Sequence, residues 1–135
     1  MLLVRNYVAP SPVEGLGVFA AERIGKGALI WKFDPTFDRL IPVGDYEAAP
    51  PYLKEQLDRY AYPCPGRPEF ILYEVDNGRF MNHSETPNTD FSDFAGATAL
   101  CDIEPGEELT CNYADFFADY ELLPNLGENA GLKSG

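Results

Sequence analysis

Glycine and proline set the terms on which this chain can fold. Twelve of each are spread along the 135 residues. Both interrupt helices, so the short segments between them favour many short strands over a helix bundle. Strand-like runs fall at 2–8, 17–21, 28–33, 37–41, 70–75, 97–100 and 108–112. One segment departs from that rhythm. In 51–62, Leu53, Leu57, Tyr60 and Ala61 recur at helical spacing with charges between them, and Pro51 stands where a first helical turn tolerates proline. The expectation is a mostly β chain carrying an inserted helical region. Two stretches also echo each other. Ile24-Gly25-Lys26-Gly27-Ala28-Leu29-Ile30 and Ile103-Glu104-Pro105-Gly106-Glu107-Glu108-Leu109 each place a turn closed by glycine between apolar residues. Two similar hairpins account for the pattern, and Pro105-Gly106 suits a type II turn.

A chain of this length holds one domain and one core, burying roughly 68% of its unfolded surface. The domain is read as 1–126, with the Gly-, Asn- and Ser-bearing 127–135 as a fraying tail. The opening residues read as a first strand rather than a signal peptide. No apolar run approaches the roughly 18 residues of a membrane span, so no membrane partner is expected. Cys64, Cys101 and Cys111 are odd in number and lack paired metal spacing, which argues against a disulfide framework or zinc site and for reduced thiols in a cytoplasm. The sequon Asn82-His83-Ser84 then has no consequence.

Net charge is −12, and its distribution is one-sided: residues 1–79 hold 11 acids and 9 bases, whereas 80–132 hold 11 acids and neither lysine nor arginine. Such a stretch offers no phosphate-tracking groove, so direct nucleic-acid binding is not expected. A basic partner suits it, although solubility alone also accounts for the acidity.

Taken singly, the chemistry-bearing residues are weak signals. Gly15-Leu16-Gly17 lacks the third glycine of a dinucleotide site and also suits a plain turn. His83 is the sole histidine, which excludes a multi-histidine metal site and leaves a hydrogen-bonded structural role open. No nucleophile elbow is present, and no cysteine has a reason to be a thiolate.

Three segments taken in order say more: Glu14-Gly15-Leu16-Gly17-Val18-Phe19-Ala20, then Arg79-Phe80-Met81-Asn82-His83-Ser84-Glu85-Thr86-Pro87-Asn88, then Asp102-Ile103-Glu104-Pro105-Gly106-Glu107-Glu108-Leu109-Thr110-Cys111-Asn112-Tyr113. Over about 4–117 the chain resembles the SET-domain protein lysine methyltransferases, in the manner of minimal bacterial and viral members without flanking zinc-binding segments. The resemblance implies a β-clip-like fold of small sheets, a helical insert at about 42–68, and a C-terminal pseudoknot in which the chain after Leu109 threads the loop 79–88. It implies S-adenosyl-L-methionine as cofactor, bound by Glu14, Gly15, Leu16, Gly17, Arg79, Asn82, His83, Tyr113 and Phe117. The glycines would let the backbone approach the ligand closely, and Asn82 would bond its methionine end.

The same resemblance implies methyl transfer to a lysine in a basic, histone-like protein segment, with Tyr113 as the catalytic residue and Phe33, Phe91, Cys111 and Tyr113 lining the lysine channel. A tyrosine of ordinary pKa near 10 is protonated at neutral pH and therefore orients the amine rather than acting as a general base. Phe33, Phe91 and Cys111 replace hydroxyl-bearing or bulkier residues frequent in the family, which leaves fewer anchors for a channel water or the incoming amine; at Phe91 and Cys111 it also implies a roomier channel and di- or trimethylation. Phe116, Phe117 and Tyr120 would close the site in place of a zinc segment, and Asp115 and Asp119 would lie near its mouth. Minimal relatives can dimerise, so the resemblance allows a homodimer as one way for so small a chain to complete its substrate groove. The expected location is the cytoplasm, or a nucleus, the host's included, where the source has one. A catalytically silent cofactor-binding module that serves as an interaction surface is the alternative, and a modifier of small molecules or of one protein, whose acidity is unrelated to its substrate, is a third.

Overall fold

The structure, a computed structural model, describes residues 1–93 and 95–115. In chain order it comprises β1 (Asn6–Pro10), β2 (Leu16–Ala20), β3 (Leu29–Trp31), β4 (Arg39–Pro42), α1 (Val43–Glu47), α2 (Pro51–Tyr60), β5 (Tyr62–Pro63), β6 (Phe70–Tyr73), β7 (Asn82–His83), β8 (Thr89–Asp90), β9 (Ala97–Ala99) and β10 (Glu108–Cys111). Turns of 3-10 helix lie at Asn77–Phe80 and Tyr113–Asp115. The strands form three small sheets, ordered β1-β2-β10-β7, β3-β9-β8 and β4-β6-β5. Each of the seven strand-like runs of the sequence overlaps a strand, and the fold is mostly β.

The differences have local causes. The first strand begins at Asn6, because residues 1–3 serve another sheet: Leu3 N donates to Ile30 O at 2.8 Å, Lys32 N donates to Met1 O at 3.0 Å, and Leu2 bridges Trp31. The helix ends at Tyr60 rather than 62, since Ala61 is already extended at φ −97°, ψ 160° and only its N–H, bonded to Leu57 O, still belongs to the last turn. The five-residue α1 and the two-residue strands β5, β7 and β8 are too short to display a period in sequence. The inserted region therefore contributes α1, α2 and β5, the last pairing with β6 beside β4.

The internal echo is a contact between its two copies rather than a pair of hairpins. Ile24 and Ile103 form an antiparallel bridge, exchanging N–H···O bonds of 2.8 Å in both directions. Gly27 N donates to Ala99 O and Gly106 N to Ala20 O, both at 2.8 Å, and each acceptor lies four residues before the bridging isoleucine of its own segment. The turns match as well. Ala28 N donates to Gly25 O and Glu107 N to Glu104 O, with Gly27 at φ +84° and Gly106 at φ +89° in the third position, the geometry of a type II turn. Residues 20–28 and 99–107 are thus related by a local two-fold, self-complementary like an isologous interface.

That crossing feeds the core, in which Val18, Ile30, Trp31, Leu72, Ile103 and Leu109 are fully buried. Two acids are buried with them. Glu74 follows Leu72 by two positions and so shares its inward face; its carboxylate accepts the indole N–H of Trp31. Asp38 accepts the Met1 amino group at 3.0 Å, Asp34 N at 2.9 Å and Val75 N at 3.2 Å.

Burial pushes the Glu74 carboxyl from 4.5 up to about 7, with Asp76 and Asp38 adding to the rise and the amino terminus and the Trp31 N–H opposing it. An acid raised in the folded state contributes stability that is whole below its unfolded pKa and is lost as pH rises through its folded one. Wild-type unfolding free energy is therefore expected to fall from about pH 4.5 to about pH 7 and then level off, by an amount on the order of 3 kcal/mol from this group. Glu74→Gln keeps an acceptor for Trp31 and should flatten that slope. Urea titrations of both proteins across this range check it, and parallel pH profiles would refute it.

Candidate active site

The site is assembled around β10, which has neighbours on both sides. It pairs antiparallel with β2 through Glu108↔Phe19 and Leu109↔Val18, and parallel with β7 through Thr110↔Asn82 and Cys111↔His83. A two-residue parallel pairing is weak by itself. Side chains complete it. Asn88 Nδ2 donates to Glu108 O at 2.8 Å while its Oδ1 accepts Thr110 N at 2.9 Å, so one amide stands in for a strand partner. Thr89 Oγ1 donates to Thr110 O at 2.6 Å, and Ser84 N donates to Cys111 O at 2.9 Å. Loop 82–90 therefore bonds along one side of β10, opposite β2; the expected threading of the chain through loop 79–88 continues past Asp115, outside the described residues.

The glycine loop joins β1 to β2. Ser11 N donates to Gly15 O at 2.7 Å, and the Ser11 hydroxyl oxygen accepts Val13 N at 2.9 Å and Glu14 N at 3.3 Å. Gly15 sits at φ +41°, a left-handed conformation that favours glycine. Asn82, 2% exposed, reaches across to this loop: its Nδ2 lies 3.1 Å from Glu14 O, 3.0 Å from Leu16 O and 2.9 Å from Glu108 Oε2. Three acceptors around one atom identify it as the NH2 group. Neither Asn82 nor Asn88 is a locally satisfied turn residue.

Tyr113 is held at both its hydroxyl and its backbone. Its hydroxyl donates to Met81 O at 2.7 Å, and its backbone N–H donates to His83 Nδ1 at 3.0 Å. With Nδ1 accepting, the neutral imidazole carries its proton on Nε2, 3.2 Å from Glu85 Oε1. The His83 and Tyr113 rings lie 5.2 Å apart at centroid. Glu14, Gly15, Leu16, Gly17, Asn82, His83 and Tyr113 are thus joined through β7, β10 and their hydrogen bonds.

The other sequence candidates are placed as follows. Arg79 donates to Asp76 O at 2.8 Å and Val75 O at 3.3 Å, and its guanidinium lies 4.8 Å from the Phe80 ring centroid. Phe91 is buried at 5.3 Å from the Trp31 ring, with its N–H donated to Asp115 Oδ2 at 3.2 Å. Cys111 is 2% exposed, its Sγ 3.9 Å from Asn82 O, and Phe33 packs partly buried against the same core. Phe116, Phe117, Asp119, Tyr120 and the tail 127–135 lie outside the described residues.

One expected reason changes. A Cβ on Gly17 would stand 2.2 Å from Glu108 Oε2 and 3.1 Å from Asn82 Nδ2. The absent side chain at this position thus makes room for a carboxylate of the chain itself. Glu108 and Ser11, 2.8 Å apart through both carboxylate oxygens, carried no chemical signal of their own in the sequence. Ser11 lies at a proline-flanked turn and Glu108 within an acidic run.

With this geometry in view, the relationships of the chain are plain. The SET-domain family model matches residues 15–114, and the chain belongs to that family. No curated protein sequence matches it significantly. A Plasmodium falciparum protein named as a candidate histone methyltransferase shares the fold at TM-score 0.53 and 22% identity, over 83% of this chain and 95% of that one. Two structures of a humanized mutant of the Chaetomium thermophilum Polycomb Repressive Complex 2, each bound to an inhibitor, match at TM-scores of 0.59 and 0.61 with 23% and 22% identity, over 86% and 90% of this chain. This chain spans 16% of the length of either of those chains. At such identities the likeness is one of fold.

Asn88→Ala removes both halves of the strand-like amide pairing and leaves a main-chain N–H and C=O of β10 without partners. It should lower unfolding free energy by about 2 to 3 kcal/mol and speed amide exchange at Thr110. Unchanged stability and exchange would show that β10 does not depend on this side chain.

Proposed function

We propose that this chain is an S-adenosyl-L-methionine-dependent protein-lysine N-methyltransferase acting on a lysine in a basic, histone-like segment. The observation that carries the reading is the joining of the glycine loop, Asn82-His83 and Tyr113 into one hydrogen-bonded unit, although these residues are far apart in sequence. Membership of the SET-domain family and a fold shared with a protein named as a candidate histone methyltransferase support it.

The residues suit the cofactor chemically. Asn82 has committed both amide protons, and among the described residues its Oδ1 takes no hydrogen bond. An acceptor suits the ammonium of an amino-acid moiety better than its carboxylate. The backbone of Glu14, Gly15, Leu16 and Gly17, with His83 beside Tyr113, would hold the remainder. S-adenosyl-L-methionine, when bound, supplies a methyl group on a positively charged sulfur.

The chain's own contribution is placement. Holding two reactants in register is worth roughly 7 to 11 kcal/mol of a bimolecular barrier. The lysine amine must be neutral to react, and passage beside the apolar Phe33, Phe91 and Cys111 would depress its pKa by desolvation. The single proton of the Tyr113 hydroxyl goes to Met81 O, so the phenol oxygen meets any further group as an acceptor. It can accept an N–H of the amine and fix the direction of the lone pair. With Cys111 only 2% exposed, a tyrosine at that position would overpack its surroundings unless they shift, and methyl multiplicity is read directly from the product distribution. The cation-free stretch 80–132 favours a lysine- and arginine-rich peptide through long-range attraction.

Incubation with methyl-labelled cofactor and a lysine-rich peptide should label that peptide, and a lysine-to-arginine copy should stay unlabelled. Tyr113→Phe should retain cofactor affinity and lower kcat tenfold or more, about 1.4 kcal/mol in the barrier. Wild-type turnover in that variant would remove Tyr113 from the chemistry. Raising salt should increase KM for the peptide more than it lowers kcat. A flat KM would mean that the acidity serves solubility alone.

A further inference from the structure

We infer that Glu108 is the positioning residue for the glycine loop, and that position 17 is glycine in order to admit the Glu108 carboxylate. The inference rests on the proposed cofactor reading for its functional consequence, though not for its geometry. Three parts of the chain meet at this one side chain: Ser11 in the turn after β1, Gly17 in β2, and Asn82 in β7.

Glu108 lies on β10 opposite Phe19 of β2, and its side chain runs back toward the start of that strand. The Ser11 hydroxyl is 2.8 Å from both carboxylate oxygens, and Asn82 Nδ2 is 2.9 Å from Oε2. Ser11 also receives Val13 N and Glu14 N, and Asn82 also holds the carbonyls of Glu14 and Leu16. Among the described residues, every polar side-chain tie on this loop therefore passes through a residue that the carboxylate touches. A carboxylate suits the position because it accepts from both a hydroxyl and an amide; a glutamine would turn an N–H toward one of two donors.

Gly17 brings β2 against the same carboxylate. The nearest obstacle to a Cβ is Glu108 Oε2 at 2.2 Å, with the carboxyl carbon at 2.9 Å. The end of a glutamate is flexible and would ordinarily swing aside at little cost. Here it cannot move without releasing Ser11 and Asn82. Gly17→Ala and Glu108→Ala should therefore have the same consequence, loss of the clasp, and their effects should not add.

The test is a double-mutant cycle on the whole chain with two readouts. One is amide hydrogen exchange across 11–17 in the ligand-free protein, which needs no assumption about function. The other is the affinity and KM for S-adenosyl-L-methionine. Each single variant should accelerate loop exchange and weaken cofactor binding about tenfold, the loss of one charge-assisted hydrogen-bond set. The double variant should resemble either single variant rather than reaching about a hundredfold. At saturating cofactor the Glu108→Ala kcat should stay near wild type while its KM rises, a split that a general weakening of the fold would not produce. Ser11→Ala removes one arm without leaving a cavity. It should shift exchange and KM in the same direction by a smaller factor, and it serves as the second variant should Glu108→Ala fail to fold.

Additive effects in the cycle, or loop exchange unchanged in all variants, would overturn the assignment. Wild type that binds no cofactor while exchange is non-additive would instead refute the cofactor reading and leave the clasp standing.

Discussion

The placement of β10 between β2 and β7 is the constraint on which the rest depends. A strand of four residues cannot hold a sheet position by length. It is held because each side is gripped by a different segment: the β1–β2 hairpin on one, and the 82–90 loop with its Asn88 amide on the other. The crossing of Ile24 with Ile103 fixes the approach of the chain to β10, and the matched type II turns set its direction. Removing any one grip exposes backbone groups that have no alternative partner, and such groups cost about 1 to 3 kcal/mol each when buried.

From that placement the site follows. Once β10 is parallel to β7, Asn82 faces the glycine loop and Tyr113 emerges beside His83. The polar contacts are then mutual. Asn82 holds the loop carbonyls, the loop hydroxyl of Ser11 meets Glu108, and Glu108 returns to Asn82. A closed set of this kind is pre-organised, so little ordering remains to be done when a ligand arrives. The Tyr113 hydroxyl is likewise aimed in advance by Met81 O.

Much of this was legible in the sequence. Glycine and proline spacing predicts short strands, and the apolar period of 51–62 predicts α2. The motif residues Glu14 to Gly17, Asn82, His83 and Tyr113 are brought together. What could not be read has a physical cause. β7 and β8 are defined by side-chain bonds from Asn88 and Thr89, not by a period of their own. The burial of Glu74 and Asp38 is invisible without their partners Trp31, Val75 and the amino terminus. Gly17 was legible as a glycine that something must approach closely. That the approaching group is Glu108, 91 positions later, is a fact of topology.

In the proposed function the glycine loop, Asn82-His83 and Tyr113 act as one ligand site. Amide hydrogen exchange of the whole chain, with and without S-adenosyl-L-methionine, tests it most directly. Simultaneous protection at 14–17, 82–83 and 113 is expected, with the helices α1 and α2 unchanged. Saturable binding with protection confined to some other region would contradict it.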